Sequence, residues 1–333
     1  MSFRASKFMF ADLKGKKSPW FPLVCIQGDE VPVVRSLISP LILMFPFYYG
    51  PKNLAEHLFV WVLVWTSISK LNYILHNHVH APMAGGRLLN RWIDLSLGFC
   101  TGMTAMSWRI THLHGHHCEH LVRATEGKRA FLPSRAPLTH VRHDGYLSRF
   151  TIGNVIRHCF LTAAPQWWRP VAVAWEKGVR RPKAFSAPYY RWALAEFSIV
   201  YMFYALLLLT DPFTTVIYVL LPIFLVLVFS RYIDYMTHVG EKRGRPSFAN
   251  NCLSNIYNRL YWNFGHHAVH HIAPTLHWTV LPSAHERLSS IFPHLASSPS
   301  TPPLTHSFSG ALWPIHLWSA WRCSATAAHS PSN

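Results

Sequence analysis

The chain has 333 residues, half of them hydrophobic, and carries 31 Lys+Arg against 14 Asp+Glu, a net charge of +17. Its apolar residues collect in four blocks with the charges between them, which departs from the period-3.6 or period-2 spread of a soluble domain and points to a membrane. No zinc-finger spacing, RNA-binding signature or basic heptad helix accompanies the positive charge, which argues against nucleic acid as a partner. The six cysteines (Cys25, Cys100, Cys118, Cys159, Cys252 and Cys323) form no CxxC pair, which argues against a zinc ribbon, a rubredoxin-like site, an iron–sulfur module and a disulfide framework.

Residues 1–30 are polar and basic, with Lys14, Lys16 and Lys17 together and no apolar opening run of the signal-peptide kind. Residues 31–49 form the first apolar stretch, the weakest because Arg35, Pro40 and Pro46 interrupt it; Gly50-Pro51 marks a turn. The second stretch, 54–75, is long enough as a helix to cross a hydrocarbon core about 30 Å thick. Residues 93–107, short and rich in Gly, Thr and Met, predict a buried or re-entrant helix, and 146–176, with Trp167 and Trp168, a helix lying in the interface. The third and fourth spans, 193–209 and 213–233, are joined only by Thr210 to Pro212, so they are antiparallel neighbours. From Ser297 the chain is rich in Ser, Pro and Thr, which predicts a disordered tail over 296–333. The domain expected to fold is thus 31–295.

Lys52 is the single cation of the two short loops, whereas 16 Lys+Arg lie between the second and third spans. By the positive-inside rule both termini and the long middle segment are cytoplasmic. The expected architecture is all-α: an integral membrane fold of four helices in two hairpins with a cytoplasmic helical cap.

Against that frame stand 23 histidines, an excess that suggests metal or proton chemistry. The first box, His76-Asn77-His78-Val79-His80, closes the second span and sets His76 and His80 at i, i+4, where two imidazoles on one helix face can share a metal. The second box runs from Trp108 to His120. His112 and His116 repeat that spacing, His117 adds a neighbouring direction, and His114 and His120 are spare candidates. The third box contains His267, His270 and His271 as HxxHH, with His266 offering another register. Asp234 and His238 close the last span at i, i+4, and a carboxylate at that depth is a functional candidate. Any one of these histidines alone is more often an interfacial or hydrogen-bonded residue than a ligand. Three boxes of nearly repeated spacing at one membrane face are a different matter.

A structural zinc needs four ligands, and here nine histidines converge, enough for two metals with open positions for oxygen. No Glu is followed three residues later by His, so the carboxylate-bridged site of soluble di-iron bundles is missing, and HExxH of the zinc proteases is missing too. A dinuclear, histidine-rich iron site is the reading that remains.

The order HxxxH, HxxxHH, HxxHH on four spans resembles the membrane fatty acid desaturase superfamily over roughly residues 31–285. The run from Gly265 through His271 to Pro274, followed by His277-Trp278, is similar to that family's last box. The resemblance implies His76, His80, His112, His116, His117, His267, His270 and His271 as ligands of two Fe ions, with His238 as the extra ligand after the fourth helix. Relatives often carry Asn where Asp234 stands, so for Asp234 three roles stay open: direct ligand, ligand through water, or neither. Asp94 and Glu119 are candidates to orient an imidazole, with a surface or capping role the preferred reading for each.

The resemblance further implies activation of O2 at two irons and removal of hydrogen from an unactivated C–H bond of an acyl lipid, acyl-CoA or acyl-ACP. Loss of a second hydrogen gives a double bond; addition of oxygen gives an alcohol. Electrons come from a separate donor, a ferredoxin or cytochrome b5-like protein, since the chain shows no haem, iron–sulfur or GxGxxG motif. Acyl desaturation is the leading expectation. A lipid, alkane or carotenoid hydroxylase or ketolase on the same scaffold is the alternative. A histidine-lined metal transporter is disfavoured, because transporters bind near the midplane and these spans look almost free of polar residues.

Overall fold

The computed structural model describes residues 9–21, 23–117, 152–163, 187–238 and 249–291. Among them there is no strand, only an isolated bridge between Lys17 and Ile26, and the fold is all-α. Four helices are long and apolar enough to cross a membrane: Glu30–Tyr49, Leu54–His80, Arg191–Thr210 and Pro212–His238. Their outer faces carry bare apolar side chains: Leu41, Leu58, Phe59, Met202, Leu206 and Leu209 are 58–83% exposed. Surface of that kind suits hydrocarbon rather than water. The chain divides into two compact units. The first is Lys16–His114 with Ala163–Val228; the second is Met1–Gly15 and Gly115–Thr162 with Phe229–Asn333.

In the first unit, α1 (Glu30–Tyr49) runs unbroken through Pro40 and Pro46. In an apolar span each missing N–H leaves one carbonyl to be satisfied locally, and the helix covers the expected 31–49 with both prolines inside it. It stops at Gly50, whose φ of 57° supplies the left-handed cap and whose N–H donates to the Pro46 carbonyl. Asn53 then starts α2 (Leu54–Ile68) with a reciprocal cap: its side chain accepts from Glu56 N, and the Glu56 carboxylate accepts from Lys52 N and Asn53 Nδ2. α3 (Leu71–His80) follows within the same span, which therefore extends to His80 rather than to the expected 75. The first box is thus the last turns of the span.

Helix α4 (Arg87–Thr101) begins six residues before the expected 93 and buries Ile93, Leu97 and Cys100. α5 (Ala105–Trp108) passes directly into a π-helical stretch, Arg109–His117. The third span is α7 (Ala187–Thr210), after α6 (Ile152–Ala163) of the second unit. α7 approaches α4 closely at Gly98, where a Cβ would lie 2.9 Å from Val200 Cγ2. Tyr204 donates to the Gly98 and Phe99 carbonyls, and Tyr201 to that of Gly102. Asp211 caps α8 (Pro212–Thr215) by accepting from Thr214 N. A π turn, Val216–Leu220, leads into α9 (Leu221–His238), five residues longer than the expected end at 233.

The second unit holds α10 (Asn255–Leu260), α11 (His267–Ile272) and α12 (Leu281–Ile291). Val269 and Ile272 on one side of α11 pack with Phe10, Leu281, Ala284 and Leu288. Asp12 forms a two-pronged pair with Arg287, at 2.6 and 2.8 Å, on the surface of that cluster. Of the expected interfacial helix over 146–176, the described part is α6. Trp167 and Trp168, like the tail expected over 296–333, lie outside the described residues.

Candidate metal centre

Two turns and a strap position the histidines. On α11 the ordinary helical period places His267, His270 and His271 on one face, opposite Val269 and Ile272, which are buried in the apolar cluster. The helix start is held by Asn251, whose Oδ1 accepts from Ala268 N at 2.9 Å. Asn258 accepts from Gly265 N and donates to the Cys252 carbonyl, while Cys252 N donates to the Gly265 carbonyl. One residue earlier in this strap, Asn250 donates through its backbone to the Thr237 carbonyl and through Nδ2 to that of Met236. The same three residues, Asn250 to Cys252, therefore close the end of α9 and seat the start of α11, which puts His238 against the third box.

The result in the second unit is a buried tetrad, His116, His238, His267 and His271, whose ligand atoms all lie within 4.8 Å of one another. Nε2 of His271 is 3.2 Å from that of His116 and 3.2 Å from that of His267, which in turn is 3.4 Å from that of His238. His117 Nε2 is 3.2 Å from His270 Nε2 beside the tetrad. In the first unit, His76, His80 and His112 gather with ring centroids 4.4–5.1 Å apart. All nine histidines of the expected ligand set are thus drawn into such groupings.

The other candidates are separated from them. His78 is fully buried but turned the other way: its Nδ1 accepts from Met83 N at 3.3 Å, and its Nε2 lies 3.1 Å from Asp94 Oδ1. His266 sits at the start of α11 with its ring 5.1 Å from that of His285, apart from the groupings that His267, His270 and His271 join. Asp234 belongs to neither histidine group; its Oδ2 lies 2.9 Å from Arg231 Nη1. Glu119 and His120 lie outside the described residues, as does the side chain of His114.

Two acids depart from the sequence reading. Asp94 is no surface or capping residue: it is 1% exposed and binds His78, Arg91 and Arg109 at 2.9–3.2 Å. Burial by itself would raise this carboxyl, but the His78 hydrogen bond and the Arg109 guanidinium outweigh it and hold Asp94 down at about 2. Asp94 thereby ties α3 between its two box histidines to the start of the second box. Glu196 is a carboxylate inside a span taken as nearly free of polar residues. It is fully buried and accepts from Ala105 N at 3.0 Å and Met106 N at 3.1 Å, satisfying the first donors of the turn that leads to His112. The sequence signal was present, an acid at membrane depth, but its partners are backbone groups some ninety residues away and leave no pattern. Trp108 was also passed over; its ring stacks on His112 at 4.7 Å.

A family model described as Fatty acid desaturase matches residues 53–300, about three quarters of the chain. The chain belongs to the fatty acid desaturase family. It is accordingly an oxidoreductase-type enzyme that modifies fatty acyl chains. No curated protein and no solved structure matches it.

The family is associated with di-iron centres, and the donors of this desaturase-family chain fit them. Two nitrogens each about 2.1 Å from one ion stand about 3.0 Å apart at a right angle and about 3.4 Å apart at the tetrahedral angle. The Nε2 separations of 3.2–3.4 Å in the tetrad fall in that interval. Burial pushes His270 down to about 3, and burial together with the neighbouring His270 ring pushes His267 well below the ordinary histidine range. Both are neutral at pH 7, the form that binds metal. Imidazole nitrogen suits iron among other transition metals.

Proposed function

We propose that this chain is an O2-dependent desaturase that holds two iron ions with His76, His80, His112, His116, His117, His238, His267, His270 and His271 and introduces a double bond into a lipid acyl chain. The observation that carries this reading is the convergence of three buried box histidines and His238 on one point, with the spacing of a coordination shell, in a four-span chain of this family. Bound iron supplies the one-electron chemistry with dioxygen that side chains lack. The protein's part is positional. The Asn250–Cys252 strap fixes His238 against α11, Glu196 and Trp108 set the turn that bears His112, and the Asp94 clamp holds that turn to α3. Asp234 serves as the partner of Arg231 rather than as a ligand.

Forming one double bond with one O2 and release of two waters requires two further electrons and two protons. The chain carries no redox motif of its own, so a ferredoxin or cytochrome b5-like donor supplies them, and an excess of 17 positive charges favours an acidic partner. The positive-inside distribution supports a topology with both termini and the boxes on the cytoplasmic side.

The test is a mass-spectrometric lipid profile of cells expressing the chain with a redox donor, beside a His270→Ala control. New double bonds in the active strain alone support the reading. Hydroxylated or keto products without new unsaturation replace it with a hydroxylase or ketolase on the same histidines.

A further inference from the structure

The first unit carries an open pocket of about 930 Å³ whose lining starts at Pro82, two residues after His80, and includes Arg109, three residues before His112. Four arginines face into it, Arg87, Arg91, Arg109 and Arg191, against a single carboxylate, Asp94. Asp94 is engaged by Arg91 and Arg109, and among the described residues no acid pairs with Arg87 or Arg191. Four guanidiniums against one carboxylate leave this lining net positive, which favours an anion among them. Two features tune the site further. α4 begins at Arg87 with no side chain capping its first N–H groups, and Arg87 and Asn90 of its first turn line the pocket, which brings the positive helix end to it. Trp192 stacks under the Arg91 guanidinium at 4.5 Å, which fixes one wall.

The guanidinium fork matches a phosphate oxygen pair better than a diffuse charge does. The volume exceeds what a lone carboxylate or a bare inorganic anion fills, and suits a small polar headgroup. The candidate span of α7 starts at Arg191, so the cavity lies at the end of the membrane helices, at the level of lipid headgroups. We infer that this cavity binds a phosphate ester, the polar head of the acyl donor, and so anchors the donor beside the turns that carry His76, His80 and His112. The assignment to an acyl donor rests on the function proposed above; the phosphate site itself rests only on the arginines and the cavity.

The probes are dihexanoyl phosphatidic acid, dihexanoylglycerol and inorganic phosphate, titrated into the full chain in a phosphate-free maltoside detergent and read by calorimetry. The variant is Arg87→Gln with Arg191→Gln, two exposed positions. The expected result is that phosphatidic acid binds the parent chain and binds the variant at least about tenfold more weakly, since two charge-assisted hydrogen bonds are removed, while dihexanoylglycerol does not bind at this site. Equal affinity of parent and variant for phosphatidic acid overturns the site. Inorganic phosphate binding as tightly as the lipid, and lost in the variant, assigns the cavity to free phosphate and overturns the headgroup. An unchanged melting temperature and iron content confirm that the variant is folded; should the double variant melt early, Arg87→Gln alone carries the same comparison. Because binding is read without turnover, a chain that passes this test and yet forms no double bond overturns the proposed reaction and leaves the phosphate site standing.

Discussion

At the scale of single residues, the contrast between His76, His80 and His78 is instructive. All three sit on one short helix, yet His78 is held by Met83 N and Asp94 while its neighbours on either side join His112. Asp94 is therefore a positioning residue. Replacing it with Asn leaves Arg91 and Arg109 without their buried counter-charge, and the melting stability should fall by about 3–5 kcal/mol. Its folded-state pKa of about 2 lies below the ordinary carboxylate value, so its contribution is complete above about pH 4 and is lost as pH falls towards 2. Thermal melts of parent and Asp94→Asn between pH 2 and 6 should converge at the acid end; parallel curves would show that Asp94 contributes nothing electrostatic. For the ligands, His271→Ala should lower bound iron by at least one equivalent with membrane insertion intact, as measured by metal analysis of purified protein. Full iron occupancy would remove the tetrad from the centre.

At the scale of elements, the connections decide which faces meet. Gly265 is required by proximity: a Cβ there would collide with the Cys252 carbonyl and lie 2.6 Å from Asn258 Oδ1, and the carbonyl is backbone that cannot swing away. Gly265→Ala should displace the start of α11, cost about 1–3 kcal/mol, and loosen His267 and His271, which metal analysis and a melting curve together would detect. A stable, fully metallated variant would contradict the rigid strap. Glu196→Ala should leave the N–H groups of Ala105 and Met106 buried without an acceptor, at about 1–3 kcal/mol each. Loss of stability without loss of insertion is the expected outcome in melts of detergent-solubilised protein.

For the whole molecule, the four long apolar helices and the asymmetric placement of Lys and Arg make one prediction about topology. A protease site inserted at Asp211, in the link between the third and fourth spans, should be cut only from the non-cytoplasmic side, and one inserted between 120 and 140 only from the cytoplasmic side. The reverse pattern would place the boxes on the opposite face and remove the cytoplasmic electron donor from the proposal.

The sequence by itself determined the spans and the box residues, because hydrophobic length and i, i+4 spacing are local properties: membrane thickness demands about twenty apolar residues, and one helical turn brings His76 to His80 without help from the rest of the chain. The helix ends at His80 and His238 were missed because apolar composition fades before helical hydrogen bonding does. Only the tertiary structure decided that His266 and Asp234 turn to His285 and Arg231, that Asp94 and Glu196 are buried braces rather than solvated or stray acids, and that Arg191 joins Arg87, Arg91 and Arg109 around one pocket. Each of those outcomes depends on which side of one helix packs against another. No periodicity within a segment encodes that choice, because the energy that fixes it is shared between residues some tens of positions apart.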